Sequence, residues 1–299
     1  MNNSIAAIIL TYNEEKHISR CINSVKDVCN EIWVIDSFST DKTCEIATKL
    51  GAKVRQHAFE NQALQFNWAI ENCDFSSGWL WRIDADEYLE NIYTIDIKEK
   101  IRQLPISVNG IYINRKIVFM GKALLHGGWY PAPQIKIIRK GYGCCENKCM
   151  DEHLVILSGE TICLNIDQVD NNLNDLSWWT NKHNNYSDRE AVNLLKMEYG
   201  LEKSVAVVRS AFCGKDEEHK RWLKQKYAKA PLFVRPFVNF FYRYVLRGGF
   251  LDGKEGFVWH VLQGFWYRML VDAKIYELKK RFGFDDDKIK EYIKTTYLK

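Results

Sequence analysis

Alternating strand and helix patterns in the first hundred residues limit the fold more than any other feature of this sequence. The apolar runs IAAIIL, EIWVID and GWLWRI have the length and composition of buried strands. Between the first two, apolar side chains recur at helical spacing at Ile18, Cys21, Ile22 and Val25. Repeated strand–helix–strand units predict an α/β fold, with a Rossmann-like, mainly parallel sheet covered by helices on both faces.

The pattern changes twice farther along the chain. Residues 110–140 become rich in β-type segments, and the chain after about residue 170 is mainly of helical type. We therefore predict one α/β domain over residues 1–170 and a helical C-terminal region over residues 171–299.

Composition restricts the location and the partners of the protein. The net charge of +4 on 299 residues is too small to indicate nucleic acid as a partner. Nine cysteines without paired C-x-x-C spacing predict reduced thiols in a cytoplasmic protein. The apolar stretch Ile5–Leu10 is shorter than a signal-peptide core, and no segment has the roughly 20 apolar residues of a membrane span.

Three acids occupy four positions directly after the run GWLWRI, at Asp84, Asp86 and Glu87. Carboxylates so close repel one another, and they stay ionised on a solvated surface or beside a cation. Ligands bind open parallel sheets at the carboxyl ends of strands, where Asp36 and residues 11–14 are also expected. The spacing leaves two explanations open. Either Asp86 and Glu87 begin a helix, or Asp84 and Asp86 belong to a Mg²⁺ or Mn²⁺ site.

No Walker A loop, no G-x-G-x-x-G and no H-E-x-x-H occurs in the sequence. The segments IILTYNEEKHI, VIDSFSTDKTCEIA, RIDADEYL and MDEHLVI, in this order and spacing, resemble family 2 glycosyltransferases of the GT-A fold. The closer resemblance is to bacterial enzymes that assemble the lipopolysaccharide core, capsule and O-antigen. It extends to LSWWTNKHNNYSDREA and GFLDGKEGFVWHVLQGFWYRMLVDAKIYE, and so covers nearly the whole chain.

This resemblance implies a GT-A catalytic domain with a nucleotide-binding part at about 1–105 and an acceptor-side part at about 106–170. The implied donor is a nucleotide-diphospho-sugar, with a UDP-sugar favoured. The residues implied to bind it are Thr11, Tyr12, Asn13, Glu14, Asp36 and Asp84. Asp86 is the implied ligand of the divalent metal, Mn²⁺ or Mg²⁺, and Glu87 is left as a helix-start acid.

The resemblance also implies a catalytic base in the pair Asp151–Glu152, with Glu152 favoured and Asp151 the competing candidate. A base there would take the proton of an acceptor hydroxyl while that hydroxyl attacks the anomeric carbon, and a single displacement inverts the anomeric configuration. Two positions depart from the family pattern. Ser37 follows Asp36 where many members carry a second acid, and Gln65 stands where related sequences often have a base.

Two further segments are predicted to meet partners. His126, Trp129 and Tyr130 lie in an aromatic loop that could stack on an acceptor sugar or could be a packed turn. The segment from His219 to Arg247 contains eight Lys or Arg and no acid, so it predicts either a solvated helix face or attachment to an anionic membrane surface. The aromatic side chains predicted to enter the lipid boundary are Trp222, Phe233, Phe237, Phe240 and Phe241.

The predicted function is the metal-dependent, inverting transfer of a sugar from a nucleotide-diphospho-sugar to a hydroxyl of a lipid-linked bacterial surface glycan. The predicted location is the inner face of the cytoplasmic membrane. A polyprenyl-phosphate sugar synthase is the nearest alternative, although that class more often carries apolar C-terminal spans. A sugar nucleotidyltransferase usually has a glycine-rich loop after the first strand, whereas TYNEEKH has no glycine. A non-catalytic nucleotide- or glycan-binding protein also remains open.

Overall fold

The computed structural model describes residues 2–146, 153–201, 227 and 230–297. The Asp151–Glu152 pair and much of the basic segment, including Trp222, lie outside these residues. The described chain divides into two compact units. The first contains described residues of 2–124 and 129–173, and the second contains residues 125–128 and the described residues after 173.

The first unit alternates strands and helices as the apolar pattern predicts. Its strands are β1 Ile5–Thr11, β2 Glu31–Asp36, β3 Lys53–Gln56, β4 Trp79–Asp84, β5 Glu87–Leu89, β6 Val108–Phe119, β7 Lys122–Ala123, β8 Pro133–Arg139, β9 Gly143–Cys145, β10 Leu154–Ile156 and β11 Glu160–Asp170. Its helices are α1 Ile18–Val25, α2 Thr43–Lys49, α3 Gln62–Asn72 and α4 Thr94–Arg102, with a 3₁₀ turn at Asn91–Tyr93.

One large mixed sheet organises the first unit. Its strand order is β3-β2-β1-β4-β8-β6-β11-β5, with β7 paired to β6. The first four strands in this order, β3, β2, β1 and β4, are parallel to one another, and β6 is parallel to β11. Strand β8 runs antiparallel to both of its neighbours, β4 and β6. Strands β9 and β10 form a separate antiparallel pair.

Helices cover both faces of this sheet, and successive side chains of a strand point to opposite faces. Ile9 of β1 packs in one apolar cluster with Ile22 of α1, while its neighbour Ile8 packs in another cluster with Phe66 of α3. The run Trp79–Ile83 is buried throughout, which confirms it as a core strand. Asn61 begins α3 because its side-chain oxygen accepts the backbone N–H of Leu64 at 2.8 Å.

The second unit is helical over its described residues. Its elements are α5 Leu176–Glu198, α6 Arg235–Phe241, a π-helical turn at Tyr242–Leu246, a 3₁₀ turn at Gly249–Asp252, α7 Gly253–Trp259, a π-helical segment at His260–Trp266, α8 Tyr267–Arg281 and α9 Asp286–Tyr297. Helices α5, α8 and α9 share an apolar core that contains Leu195, Val271 and Ile293. Among the described residues, none of the helices combines the length and the apolar character needed to cross a membrane.

Two side chains from the basic, aromatic segment are engaged inside the second unit. Arg235 is buried, and its Nε donates to Asp272 Oδ1 at 2.7 Å. The Phe240 ring stacks on Tyr244 at 5.2 Å between centroids and meets Phe265 edge-on. Both residues were expected to face a membrane. This prediction is wrong for Arg235, which is buried with Asp272, whereas Phe240 is half-buried.

Candidate active site

Three adjacent parallel strands bring the predicted donor-site residues to one edge of the sheet. In register, Thr11 of β1 lies opposite Asp36 of β2, and Leu10 lies opposite Asp84 of β4. All three strands end at this level, so the convergence expected from the carboxyl ends of parallel strands is observed. The side chains of this edge therefore lie at the same end of three neighbouring strands, even though 73 positions separate Thr11 from Asp84 in the chain.

Asp36 is the most enclosed group of this edge, and its side chain is fully buried. Its carboxylate accepts hydrogen bonds from Thr11 Oγ1 at 3.1 Å, from Ser39 N at 2.9 Å and from Gln56 Nε2 at 3.1 Å. The Ser39 hydroxyl also donates to it. Burial by itself raises the pKa of Asp36, but the hydrogen bonds from Ser39 and Gln56 outweigh it and hold the pKa below the ordinary value. Asp36 is therefore an ionised anchor.

The loop after β1 is held by the loop after β2. Asn13 adopts a left-handed backbone with φ of 56°, a conformation that asparagine tolerates better than most residues. Its N–H donates to Ser39 Oγ at 2.8 Å, and its side-chain oxygen accepts the N–H of Thr40 at 2.8 Å. Tyr12 is left with 59% of its surface exposed. The turn is held by these two hydrogen bonds and presents the Tyr12 ring to solvent.

Glu14 closes this loop from the helix side. Its N–H donates to Thr43 Oγ1 at 2.8 Å, and its carboxylate lies 2.5 Å from Nδ1 of His17. His17 is buried, and its Nε2 accepts the N–H of Leu173 at 2.8 Å, which makes Nδ1 the protonated nitrogen facing Glu14. The position of Glu14 is therefore set by the end of β11 as well as by its own loop.

The two departures from the family pattern meet in space. Gln65 Nε2 donates to Ser37 Oγ at 3.2 Å, and Gln65 Oε1 lies 2.7 Å from Nδ1 of His57. Both Gln65 and Ser37 are buried. A neutral hydrogen-bonded group, rather than a charged pair, therefore lies beside Asp36 in this chain.

The two aspartates of the D-x-D sequence are half-buried at the end of β4 and in the turn that follows. Asp84 Oδ1 lies 3.9 Å from Nη2 of the buried Arg82, and Asp86 Oδ2 accepts a hydrogen bond from Asn172 Nδ2 at 3.0 Å. Carboxylate oxygens are the ligands that Mg²⁺ and Mn²⁺ prefer, and these ions often take only one or two from the protein. The carboxylate oxygens of Asp84 and Asp86 are therefore suitable ligands for Mg²⁺ or Mn²⁺.

Glu87 has a structural role that the sequence prediction missed. It begins strand β5, with 2% of its surface exposed, so the expectation of a helix-start acid is wrong. Lys136 Nζ contacts both of its carboxylate oxygens at 2.8 and 2.9 Å, and Gln168 and the N–H of Asp84 donate to it as well. This buried pair fixes the backbone of the turn that carries Asp84 and Asp86.

The acids predicted to include the catalytic base, Asp151 and Glu152, lie outside the described residues. Within the part of the chain that the structure describes, His, Cys, Asp and Glu form no group of three or more suited to a metal ion. A cation at Asp84 and Asp86 would therefore take its remaining ligands from substrate oxygens and water.

The predicted acceptor loop is divided between the two units. His126 belongs to the second unit, where its Nδ1 lies 2.6 Å from Oδ1 of the buried Asp252. Trp129 and Tyr130 belong to the first unit, and Tyr130 donates its hydroxyl proton to Asp167 Oδ1 at 3.1 Å. Burial, followed by the charge of Asp167, raises the pKa of Tyr130, so it stays a hydroxyl donor.

Sequence reasoning did not find Asn172, Arg82 or Asp167 as neighbours of the site. Asp167 lies in β11, and Asn172 follows directly after that strand. The strand pattern of β11 was not recognised because exposed and half-buried positions fill its first half. Arg82 lies inside a strand that otherwise consists of apolar and acidic residues. A basic residue within a buried strand is the one signal that could have identified it.

A sheet with helices on both faces, parallel over its first four strands and with carboxylates at their carboxyl ends, defines an α/β protein of Rossmann-like type, a class that binds ligands at this edge. Residues 6–142 match the family described as Glycosyl transferase family 2. Over this segment the chain is similar to that family, in agreement with the resemblance seen in the sequence. The predicted α/β architecture with a helical C-terminal region is confirmed.

Curated relatives match only part of this chain. A protein named uncharacterized glycosyltransferase from Rickettsia bellii is 38% identical over 109 residues, which are 36% of this chain and 35% of that protein. The lipopolysaccharide core biosynthesis glycosyltransferase LpsC of Rhizobium meliloti is 27% identical over 144 residues, or 46% of this chain and 52% of LpsC. The chain thus spans between about a third and about half of the length of these relatives.

Among solved structures, glucosyl-3-phosphoglycerate synthase from Mycobacterium tuberculosis, crystallised with Mn²⁺, uridine diphosphate and glucosyl-3-phosphoglycerate, is similar to this chain. The identity is 20% and the TM-score 0.32, over 38% of this chain and 44% of that one. A likeness of this degree carries no argument about what this protein binds.

Proposed function

We propose that this protein transfers a sugar, with inversion, from a nucleotide-diphospho-sugar to a hydroxyl of a bacterial surface glycan, and that the transfer depends on a divalent metal. The observation that carries the proposal is the placement of Asp36 and Asp84 at the ends of the two strands that flank β1, with Asp86 in the turn after β4, all within the segment that matches the family. The favoured donor is a UDP-sugar.

For the nucleotide, Asp36 would act through the groups that it holds. Its carboxylate is fully buried, so it shapes the pocket wall by ordering Thr11 and Ser39. The groups presented to a donor are then the exposed Tyr12 ring, which can stack on a base, and the fixed loop that carries Asn13 and Glu14. A rigid pocket of this kind lowers the entropy lost when a donor binds.

For the diphosphate, Asp86 and Asp84 would hold Mn²⁺ or Mg²⁺. A bound cation supplies electrostatic stabilisation of the negative charge that develops on the leaving diphosphate. The chain itself holds the turn that carries these aspartates, through Glu87 and Lys136 below it and Asn172 beside it. Nothing on the protein then has to protonate the leaving group.

For the acceptor, the base would be Glu152, with Asp151 as the competing candidate. Tyr130, whose hydroxyl is fixed by Asp167, and Trp129 are proposed to contact the acceptor sugar. His126 of the second unit is a separate acceptor-side candidate. The similarity to LpsC supports a lipopolysaccharide-type acceptor, and such glycans grow on lipids, so the protein is proposed to work at the inner face of the cytoplasmic membrane.

A thermal-shift screen of UDP-, GDP- and TDP-sugars, with and without Mn²⁺, tests the donor. We expect a UDP-sugar with Mn²⁺ to raise Tm, because a ligand that binds only the folded state stabilises it. Sugar release from the stabilising donor then tests catalysis. A protein that binds a donor but neither hydrolyses nor transfers it would be a binding module and not an enzyme.

Substitutions separate the proposed roles. Asp86→Asn should lower kcat by about 100-fold or more, as expected when several kcal/mol of charge stabilisation is lost, with unchanged folding. Asp96→Asn, on the exposed surface of α4, is the matched control. Full metal-dependent activity of Asp86→Asn would refute the metal assignment.

The base is tested by Glu152→Gln and Asp151→Asn. We expect Glu152→Gln to bind the donor normally and to transfer poorly, and the roles exchange if only Asp151→Asn shows this behaviour. Transfer to a polyprenyl phosphate in place of a glycan hydroxyl would identify the alternative class of enzyme.

A further inference from the structure

A continuous set of apolar side chains lies on the solvent side of α6 and the π-helical turn after it. We name this set the apolar stripe. It consists of Phe237, Val238, Phe241, Tyr242, Val245 and Leu246. Each has between 42% and 65% of its surface exposed. The stripe follows the three- and four-residue spacing of one helix face, which in soluble proteins normally packs against a core.

The opposite side of the same helix already has its packing partners. Arg235 is buried with Asp272, and Phe240 packs on Tyr244 and Phe265. Phe237, at the border of the stripe, also meets Phe265 edge-on at 4.8 Å but keeps 57% of its surface exposed. The stripe is therefore a second apolar face that the described residues of the unit leave in contact with water. Contiguous apolar patches of this kind mark surfaces that meet another molecule or a membrane.

Two arginines lie together beside the stripe. A Cβ built on Gly128 would lie 3.6 Å from Arg247 Nε and 3.8 Å from Arg243 Nη1, so both guanidinium groups approach the same glycine. Arg243 also donates to the carbonyl oxygen of Gly127 at 3.1 Å. Burial, then the nearby charges of Arg268 and Arg247, lower the pKa of Arg243 to about 10. Like charges held this close favour an anion between or beside them, and a phosphate suits the guanidinium geometry.

The charge of the surrounding sequence agrees with a negatively charged partner. From His219 to Leu251 the chain has eight Lys or Arg and no Asp or Glu. The helical run from Arg235 to Leu246 is 12 residues, or about 18 Å at 1.5 Å per residue, whereas a bilayer core is about 30 Å thick. This segment can lie in the plane of a membrane surface, but it cannot span one.

We propose that the apolar stripe and the pair Arg243–Arg247 form a docking surface for an anionic phospholipid bilayer, with the aromatic rings in the lipid boundary and the guanidinium groups at the phosphates. Binding of this kind goes beyond the transfer reaction and needs no donor, metal or acceptor. A failure of vesicle binding and a failure of sugar transfer are therefore distinguishable.

Co-sedimentation of the full chain with vesicles tests the proposal. We expect binding to phosphatidylglycerol–phosphatidylcholine vesicles to exceed binding to pure phosphatidylcholine by about 30-fold at low salt, since two arginines at an anionic surface each contribute about fivefold. Raised salt should reduce this preference. Arg247→Gln should lower binding to the anionic vesicles by about fivefold.

The apolar part is tested by Phe237→Ser combined with Phe241→Ser, which should lower partitioning into either vesicle by at least about tenfold. The matched control is Ile92→Ser combined with Ile95→Ser, two side chains of the first unit that are 75% and 73% exposed. It should leave binding unchanged. Because all four positions are exposed, circular dichroism should show each variant folded.

Two results would overturn the proposal. One is equal binding of the wild-type chain, the stripe variant and Arg247→Gln to anionic vesicles. The other is a wild-type dimer in light scattering that the stripe variant converts to a monomer without any change in vesicle binding, because a second copy of the chain would then be the partner of the stripe.

Discussion

The two units differ in the side chains that they bury and in those that they expose to solvent. The first unit has an apolar core that contains Trp79 and Trp81, and it gathers carboxylates at one sheet edge. The second unit exposes aromatic and aliphatic side chains such as Phe237 and Leu246. It also buries a histidine, His260, with no part of its surface exposed.

This difference indicates two kinds of surface. Carboxylates pooled at strand ends suit a polar, charged ligand, whereas an uncovered apolar helix face suits an extended apolar partner. Each unit encloses a buried ion pair, Glu87–Lys136 in the first and Arg235–Asp272 in the second. The second unit also encloses the imidazole of His260, and burial lowers the pKa of this group. The two units should therefore respond differently to acid.

The largest effect is expected from Lys136→Met in the first unit. The substitution leaves the Glu87 carboxylate in the core without its cation, which should lower the free energy of unfolding by about 3–5 kcal/mol in urea titrations. Lys100→Met removes the exposed partner of Asp96 and should change it by less than about 1 kcal/mol. Equal effects of the two variants would show that the buried Glu87–Lys136 pair contributes no more to the free energy of unfolding than the surface pair Asp96–Lys100.

Acid should weaken the second unit first, through His260. Burial, and then the charge of Arg243, lower the pKa of His260 from 6.5 to about 4. The unfolded chain therefore binds the proton at higher pH than the folded chain, and stability is lost as pH falls from about 6.5 to 4, by up to about 3 kcal/mol. Urea midpoints at several pH values should show this loss, and His260→Gln should reduce its steepness. An unchanged pH profile would show that His260 does not titrate in this range.

The first unit should lose stability at lower pH, through Glu31. Burial raises its pKa, but hydrogen bonds from Ser77, Trp33 and Ser76 outweigh burial and lower it from 4.5 to about 2. Because the folded pKa is depressed, this contribution is complete above about pH 4.5 and is lost as pH falls toward 2, by about 2 kcal/mol. Glu31→Gln should flatten the acid limb of the same titration. A steeper limb in the variant would contradict the assignment.

The smallest effects should be alike in both units. Asn61 caps α3 and Asp175 caps α5, each by accepting a backbone N–H at 2.8 Å. Substitution of either by alanine should cost about 1 kcal/mol in thermal or urea unfolding. Lys42 occupies the same position of α2 without a side-chain cap, so Lys42→Ala should change stability by less than about 0.5 kcal/mol.

Much of the first unit could be predicted because its elements are encoded locally. Periodicity located α1, α3 and the strands β1, β2 and β4, and the parallel topology then placed Asp36 and Asp84 at one edge. Strands β5 and β11 could not be found in this way. The first has only three residues, and the second has an exposed first half that lacks a clear alternation.

The second unit shows the opposite limit. Its helices were expected from apolar spacing, yet spacing cannot say which apolar face of α6 is covered. Phe240 and Phe241 are neighbours of the same residue type, and only the packing of Tyr244 and Phe265 places the first inside and leaves the second exposed.

The sequence by itself determined the strands β1, β2 and β4, the helices between them, and the positions of Asp36 and Asp84 at strand ends, because these follow from local periodicity. Only the tertiary structure decided what each acid does. Glu87 became a core residue because Lys136, 49 positions away, pairs with it, and Asp86 received a neighbour from Asn172, 86 positions away. Such partners depend on strand order and register across the whole sheet, which no local pattern contains.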